Sequence, residues 1–215
     1  MIATVFRSQV ILAVGAHPDD IELGCGGTLC NASKMGTKVV AVFLTKGERS
    51  GNPDDRVKES KEAFSLFDIK DVFFGDFADT EIPNSRKAMD FLESFYEKHK
   101  PDTVLTHSVN DFHQDHRQVG WLSLAALRTV PKILAYESPR VSSTFAPTYF
   151  VDISETIGLK WEALKCHLSQ CQKRYLTYES MINLASFRGS QAGISAAEAF
   201  EVIRYVEKRP LNKGL

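Results

Sequence analysis

The amino-acid sequence predicts an α/β fold: a single domain in which a mostly parallel, doubly wound β-sheet carries helices on both faces. Its 215 residues are 43% hydrophobic and 25% charged, a composition typical of one compact domain with a substantial core. Short apolar runs alternate with segments of helical periodicity, which favours parallel strands joined by right-handed crossovers. Residues 1–215 contain no linker, repeat or low-complexity segment that would indicate a second domain.

Apolar runs rich in β-branched residues predict the strands. Residues 9–16, QVILAVGA, and residues 37–45, TKVVAVFLT, are almost continuously apolar, as strands buried on both faces are. Pro101 opens a later run that ends at His107, and proline is tolerated at the start of a strand. In chain order, strands are predicted over residues 9–16, 37–45, 71–77, 101–107, 132–136 and 148–153.

Amphipathic segments between these runs predict the helices. In residues 54–69, apolar Val57, Ala63, Phe64 and Phe67 are separated by charged residues, the pattern of a helix with one buried face. Helices are predicted between the first two strands, over residues 54–69, 85–100 and 116–130, from Glu155 to about Tyr175, and from Glu179 to about Phe187.

The charge balance argues against a polyanionic partner. The chain has 26 basic and 27 acidic residues, a formal net charge of −1, and they are interspersed along the sequence. The sequence therefore predicts small-molecule partners and no binding of nucleic acid. The apolar run at residues 10–16 is too short to span a membrane and lacks a cleavage-type end, so we expect a cytoplasmic protein without a membrane span.

The four cysteines form two pairs, Cys25 with Cys30 and Cys166 with Cys171, each spaced by five residues. On a helix this spacing places the two members on different faces, which argues against a zinc site made of cysteines alone. We expect reduced, partly buried thiols.

Polar clusters follow three of the predicted strands. His17, Pro18 and two aspartates follow the first strand, the loop KGERSGNPDD at residues 46–55 follows the second, and the loop SVNDFHQDH at residues 108–116 follows the strand that ends at His107. In open parallel sheets, ligands bind beyond the carboxyl ends of the strands. We therefore expect these clusters to converge at one edge of the sheet.

The residue types in these clusters are those of a catalytic zinc site. Such a site has three nitrogen or oxygen ligands from the protein and an open position for water. His17, Asp20 and His116 would supply two imidazoles and one carboxylate, which leaves Asp19 uncommitted. Because metal-bound water has a lowered pKa, Asp19 could accept its proton during attack on a carbonyl carbon.

His113 is the candidate for stabilising the negative charge that such an attack creates. A nearby carboxylate such as Asp115 could keep His113 protonated, so that it offers a hydrogen bond to the oxyanion. The remaining histidines, His99, His107 and His167, are interpreted as structural, although His107 could support a metal ligand from behind.

Other interpretations remain open at this point. An aspartate after a strand commonly caps the next helix, and two histidines with one carboxylate also form the iron site of non-haem oxygenases. A protein that binds a sugar or a metal without catalysis is a third possibility. The glycine-rich segment GCGGT, residues 24–28, lacks the spacing of a dinucleotide-binding loop, and we interpret its glycines as allowing close packing of the first helix.

The segments AHPDDIELGCGGTL and HQDHRQV closely resemble the LmbE-like (PIG-L) de-N-acetylases. This family consists of zinc enzymes with a Rossmann-like sheet that remove acetyl groups from N-acetylglucosamine-type sugars. The resemblance extends over most of the chain, including RVKESKEAF in the second helix and the late segment SAAEAF.

The resemblance implies a role for each candidate residue. One Zn²⁺ per chain would be bound by His17, Asp20 and His116, with Asp19 as general base. The remaining implied roles are His113 as the oxyanion-stabilising residue, Asp115 as its orienting partner, and Arg56 and Asp79 as residues that contact the sugar.

The sequence departs from the family pattern at Gln114, where the family usually has proline. The ligands are unchanged by this departure, but the loop that presents His113 could be looser. Family members often assemble as trimers or hexamers, so a homo-oligomer is a further expectation.

Overall fold

The computed structural model describes Phe6 and residues 8–207 and confirms the α/β fold class. Within the described residues, seven strands form one sheet, and the segments between them include six α-helices and a 3₁₀ turn at Leu168–Gln170. The strands are β1 (Val10–Gly15), β2 (Lys38–Phe43), β3 (Asp71–Phe74), β4 (Thr103–His107), β5 (Lys132–Tyr136), β6 (Tyr149–Asp152) and β7 (Ala197–Tyr205). The helices are α1 (Asp20–Lys34), α2 (Pro53–Ser65), α3 (Arg86–His99), α4 (Gln114–Ala126), α5 (Ile157–Lys165) and α6 (Tyr178–Ala192).

The sheet is parallel except at one edge. Its strand order is β3-β2-β1-β4-β5-β7-β6. Neighbours among the first five strands of this order pair in parallel, whereas β7 pairs antiparallel with both β5 and β6. The order reverses direction at β1, between β2 and β4. A crevice at the carboxyl ends of strands is expected where a doubly wound sheet reverses in this way.

Helices cover both faces of the sheet, as the nearly continuous apolar runs predict. Ile11 and Ala13 of β1 belong to one buried cluster, whereas Leu12 and Val14 belong to a second. The first cluster includes side chains of α1, α2, α5 and α6, and the second includes side chains of α3 and α4. Burial of alternate β1 residues in two separate cores holds the strand, and the loop that follows it, in place.

The predictions for the last third of the chain miss one strand and the ends of two helices. The helix predicted to end at about Phe187 continues to Ala192. The helix predicted from Glu155 to about Tyr175 ends at Lys165, where the chain turns so that His167 is buried. Strand β7 was not predicted, because two glutamates interrupt its apolar pattern. Their carboxylates contact Lys160 and Ser108, which lie far away in the sequence.

The glycines after β1 permit close packing, as the sequence predicts. A Cβ atom at Gly24 would overlap the ring of Tyr136, and one at Gly27 would lie 2.9 Å from a methyl group of Ile153. All four cysteines are free, and Cys25 and Cys30 are buried within α1. Among the described residues, the helices are too short or too polar to cross a membrane.

Candidate active site

The predicted convergence of the polar clusters is confirmed. Side chains that follow β1, β2, β3 and β4 line one pocket of about 180 Å³ at the carboxyl edge of the sheet. Among the candidate residues, those that line it are His17, Asp19, Asp20, Arg56, Asp79, His113 and His116. Asp115 lies beside them, because its carboxylate is 3.0 Å from Nε2 of His17.

Asp20 lies between the two candidate histidine ligands. Its Oδ2 atom is 3.3 Å from Nδ1 of His17, and its Oδ1 atom is 3.2 Å from Nε2 of His116. Tetrahedral zinc, with ligands at 2.0 to 2.2 Å, holds its ligand atoms roughly 3.3 Å apart. Each of the two histidines therefore lies at the spacing of zinc ligands from one oxygen of Asp20, which fits the kind of metal that the resemblance implies.

Further donors surround this trio. Among the described residues, ligand atoms lie within 4.8 Å of one another in three overlapping groups: His17 with His113 and His116, Asp20 with His107 and His116, and His17 with Asp79 and Asp115. None of these groups unites all three of the predicted ligands, His17, Asp20 and His116. Such a concentration of imidazoles and carboxylates is the ligand chemistry of a transition-metal site.

The backbone at the start of α1 separates two adjacent carboxylates. Asp19 has a φ of 112°, in the left-handed region that a non-glycine residue rarely adopts. Its side chain does not cap α1, so the capping interpretation is wrong for Asp19. Asp20 Oδ2 instead accepts hydrogen bonds from the backbone N–H groups of Ala16 and His17, at 3.1 and 2.7 Å, which fixes this carboxylate toward the histidines.

Asp19 is buried with one oxygen occupied and the other unpaired. Oδ1 lies 3.3 Å from Nη2 of Arg56, whereas Oδ2 has no hydrogen-bond partner among the described residues. Burial raises the pKa of Asp19 to about 6, although the charge of Arg56 opposes this shift. An unpaired carboxylate oxygen that lines a pocket is suited to accept a proton from a bound molecule.

Arg56 is a buried residue that joins two loops. Its Nη1 atom donates to the carbonyl of Gly47 at 2.9 Å and to Oγ of Ser50 at 2.8 Å, and Nη2 donates to the carbonyl of Pro18 at 2.5 Å. The side chain is only 2% exposed. Most of its donors are thus committed to the protein, and only Nε lacks a partner within the described part of the chain.

The sequence did not predict a role for two residues, Asp111 and Ser138, that lie beside the candidate ligand His116. Asp111 Oδ2 lies 3.0 Å from Nδ1 of His116, and Ser138 Oγ donates to the same oxygen. This contact directs the Nε2 atom of His116 toward Asp20, in the arrangement by which carboxylates commonly orient metal-binding histidines. Asp111 lies in the same polar loop as His113, and that location is the only sequence signal for it.

His107 contacts two of the candidate ligands, Asp20 and His116. This position agrees with its interpretation as a structural residue that could support a metal ligand. Its Nε2 atom is 3.1 Å from Oδ2 of Asp20, and its ring stacks on that of His116 with centroids 3.9 Å apart. Burial, and then the charge of His116, lower the pKa of His107 to about 4. We therefore expect this imidazole to be neutral.

His113 occupies the N-cap of α4. Its Nδ1 atom accepts a hydrogen bond of 3.2 Å from the backbone N–H of Asp115, which leaves the proton of the neutral ring on Nε2. Burial, and then the charges of His116 and His17, lower the pKa of His113. Gln114 is the first residue of α4, a position that also favours proline, so this departure from the family pattern preserves the start of the helix.

The Asp115 carboxylate does not lie where the sequence suggests. It accepts a 2.7 Å hydrogen bond from the backbone N–H of Thr80 and contacts His17, whereas the hydrogen bond between Asp115 and His113 comes from the backbone N–H of Asp115. Asp79 Oδ1 also lies 3.0 Å from Nε2 of His17, and its Oδ2 accepts from the N–H of Arg49. Burial favours a lower pKa for His17, but hydrogen bonds to the surrounding carboxylates outweigh it and raise this pKa well above 6.5.

Comparison with known proteins identifies the family. The model of the PIG-L family, described as GlcNAc-PI de-N-acetylase, matches residues 12–127. An uncharacterized deacetylase of Escherichia coli K12, YaiS, is 36% identical over 178 residues, which cover 79% of this chain and 96% of the relative.

Two further comparisons bear on the chemistry. The structure of N,N'-diacetylchitobiose deacetylase from Pyrococcus horikoshii, in complex with its inhibitor, is similar with a TM-score of 0.82 and 26% identity, over 92% of this chain and 84% of that one. A 4-oxalmesaconate hydratase from Pseudomonas putida is 25% identical over 86% of this chain and 83% of its own length. The family match, the relative of 36% identity and the shared fold lead to one conclusion: the chain belongs to the PIG-L family of deacetylases.

Proposed function

We propose that this protein is a zinc-dependent hydrolase that removes the N-acetyl group from an N-acetylglucosamine-type sugar or its conjugate. The observation that carries the proposal is the different surroundings of two adjacent aspartates. Asp20 is fixed between His17 and His116, whereas Asp19 keeps an unpaired oxygen beside them. One carboxylate can thus hold a metal while its neighbour transfers a proton.

His17, Asp20 and His116 would hold the metal. When bound, zinc supplies Lewis-acid activation of a water molecule and of a carbonyl oxygen. Asp19 accepts a proton from the attacking water as the water oxygen bonds to the acetyl carbon. The same carboxyl group then returns the proton to the sugar nitrogen as the C–N bond breaks, which releases acetate and a free amine.

The remaining residues orient the catalytic groups and stabilise the transition state. The Nε2–H group of His113, fixed by the contact of Nδ1 with α4, donates to the oxygen that becomes negative in the transition state. Arg56 holds Asp19 in place through Nη2, and Nε of Arg56 is buried without a partner among the described residues. Asp79 and Asp115 fix the His17 ring through Nε2, so that Nδ1 faces Asp20.

A panel of N-acetylated amino sugars, free and as glycosides, tests the proposal. With zinc-loaded protein we expect acetate and free amine in equal amounts, and we expect both to disappear after chelation and return when zinc is added. The proposal fails if the panel yields no acetate, or if chelation leaves the rate unchanged. Acetate release restored by iron alone would replace zinc with iron in the proposal, and hydration of an unsaturated tricarboxylic acid without amide cleavage would establish a different enzyme.

A further inference from the structure

A second cavity lies beside the pocket of about 180 Å³ that contains the candidate metal ligands and that we call the metal pocket. Its volume is about 200 Å³, and residues of α1, α6, β7 and the segment after β5 line it. Leu23, Pro139 and Tyr175 line both this cavity and the metal pocket. A substituent that leaves the metal pocket past these side chains therefore meets the second cavity, which we name the α6 cavity.

The walls of the α6 cavity are mostly apolar. Helix α6 contributes Met181, Leu184 and Ala185, and β7 contributes Ala197 and Ala199. An apolar cavity of roughly 150 Å³ in another protein is known to bind benzene. The α6 cavity thus has the size and lining to accept a hydrocarbon group.

The charged side chains of the α6 cavity are already paired with one another. Arg188 donates to the Glu137 carboxylate through Nε and Nη2, at 2.7 and 2.5 Å. Lys160 Nζ lies 2.6 Å from Glu198, and both of these side chains are buried. Because each cation has a carboxylate of its own, a charged ligand would have to displace an existing ion pair, whereas an uncharged group would not.

The metal pocket has a different character, because histidines and aspartates line it together with the exposed side chains of Arg140 and Lys173. We propose that the α6 cavity binds an uncharged, largely apolar substituent of the amino-sugar substrate while the sugar occupies the metal pocket. This inference rests on the proposed function. Such a substituent could be attached through the glycosidic oxygen or could extend the N-acyl group.

Three compounds distinguish these attachments: methyl N-acetylglucosaminide, the hexyl glycoside of the same sugar, and the methyl glycoside that carries N-hexanoyl in place of N-acetyl. KM is measured on the zinc-loaded enzyme, and Kd is measured by calorimetry on zinc-loaded Asp19→Asn protein. We expect one of the two six-carbon compounds to bind roughly tenfold or more tightly than the methyl N-acetyl compound. The six-carbon compound that binds more tightly than the methyl N-acetyl compound identifies the point of attachment.

Variants that fill the cavity provide the structural test. Leu184→Trp and, as a milder change, Ala185→Leu should remove most of this gain and leave the affinity for the methyl N-acetyl compound within about twofold of the original. Asn183→Trp is the matched control, since Asn183 is the exposed neighbour of Leu184 on α6 and does not line the cavity. The Asn183→Trp variant should retain the full gain in affinity for the six-carbon compound.

The outcomes separate the inference from the proposed function. Equal affinity for all three compounds, or a gain that both filling variants retain, overturns the inference even if acetate is released. If no compound is hydrolysed but a six-carbon compound binds more tightly and Leu184→Trp removes that difference, the inference stands and the proposed function fails. Absence of binding by every compound overturns both.

Discussion

Arg56 and Asp19 form a buried ion pair between α2 and the turn that follows β1. Nη2 of Arg56 lies 3.3 Å from Oδ1 of Asp19, and the two side chains are 2% and 6% exposed. The same guanidinium holds the carbonyl groups of Pro18 and Gly47. The position of the proposed general base therefore depends on a side chain that comes from a separate helix.

Removal of Arg56 should lower turnover. The resemblance to the family implies that Arg56 contacts the sugar, and loss of such a residue would mainly raise KM. Because Arg56 instead holds Asp19, we expect Arg56→Met to lower kcat by roughly 10- to 100-fold. Steady-state kinetics on zinc-loaded protein check this, with exposed Lys58→Met on the same helix as control. A raised KM with unchanged kcat would support the substrate-gripping role instead.

Substitutions of the two adjacent aspartates, Asp19 and Asp20, should have different effects. Asp19→Asn removes a proton acceptor but no proposed ligand, so we expect bound zinc to remain while kcat falls by roughly 10²- to 10⁴-fold. Asp20→Asn removes a charge that faces two histidines, and we expect it to abolish stoichiometric zinc. Elemental analysis and acetate release measure both effects. Near-normal turnover in Asp19→Asn would exclude Asp19 as the base.

Asp111 should control metal affinity through His116. Because the Asp111 carboxylate orients the His116 ring, Asp111→Asn should weaken zinc binding by roughly 10- to 100-fold. Competition with a chromophoric chelator measures this affinity. Asp90→Asn, an exposed aspartate on α3 that pairs with Arg86, is the matched control and should bind zinc normally. Unchanged affinity in Asp111→Asn would show that His116 is held by other contacts.

The buried pair of Lys160 and Glu198 should stabilise a break in α1. The helix is interrupted at Cys25, where Glu198 accepts from the backbone N–H groups of Gly27 and Thr28 at 2.9 and 2.7 Å. On the other side of the break, Lys160 Nζ donates to the carbonyl of Leu23 at 2.7 Å.

Glu198→Leu leaves the Lys160 ammonium buried without its carboxylate, so we expect the free energy of unfolding to fall by about 3–5 kcal/mol. The double variant Glu198→Leu/Lys160→Met should recover part of that loss. It should not recover all of it, because two backbone N–H groups still lack their acceptor. Urea unfolding measures each value, and a single variant as stable as the original would refute this account.

Gly24 should be needed for the contact between α1 and β5. In Gly24→Ala the new methyl group would overlap the ring of Tyr136, whose hydroxyl donates to the carbonyl of Val14 at 2.9 Å. We expect a loss of about 1–3 kcal/mol in the free energy of unfolding. Gly158→Ala is the control, because its Cβ would have no neighbour within 4 Å, and we expect no loss of stability there.

The sequence determined the parallel part of the sheet and the location of the site. Strands β1 and β2 are nearly continuous apolar runs, and such runs separated by amphipathic helices pair in parallel whatever the details of packing. The carboxyl ends of parallel strands share one edge, so the clusters around His17 and His116 had to meet. The motifs AHPDDIELGCGGTL and HQDHRQV also sufficed to identify the family.

Only the tertiary structure decided which side chains pair. The Asp115 carboxylate forms a hydrogen bond with His17 across 98 residues, whereas the hydrogen bond between Asp115 and His113 comes from the backbone. Arg56 is buried against Asp19 across 37 residues. Periodicity shows whether a segment has a buried face, but it carries no information about the partner on that face. For the same reason β7 escaped prediction: the partner of Glu198 lies 38 residues away, on α5, and burial of that carboxylate is possible only after the helix has packed against the sheet.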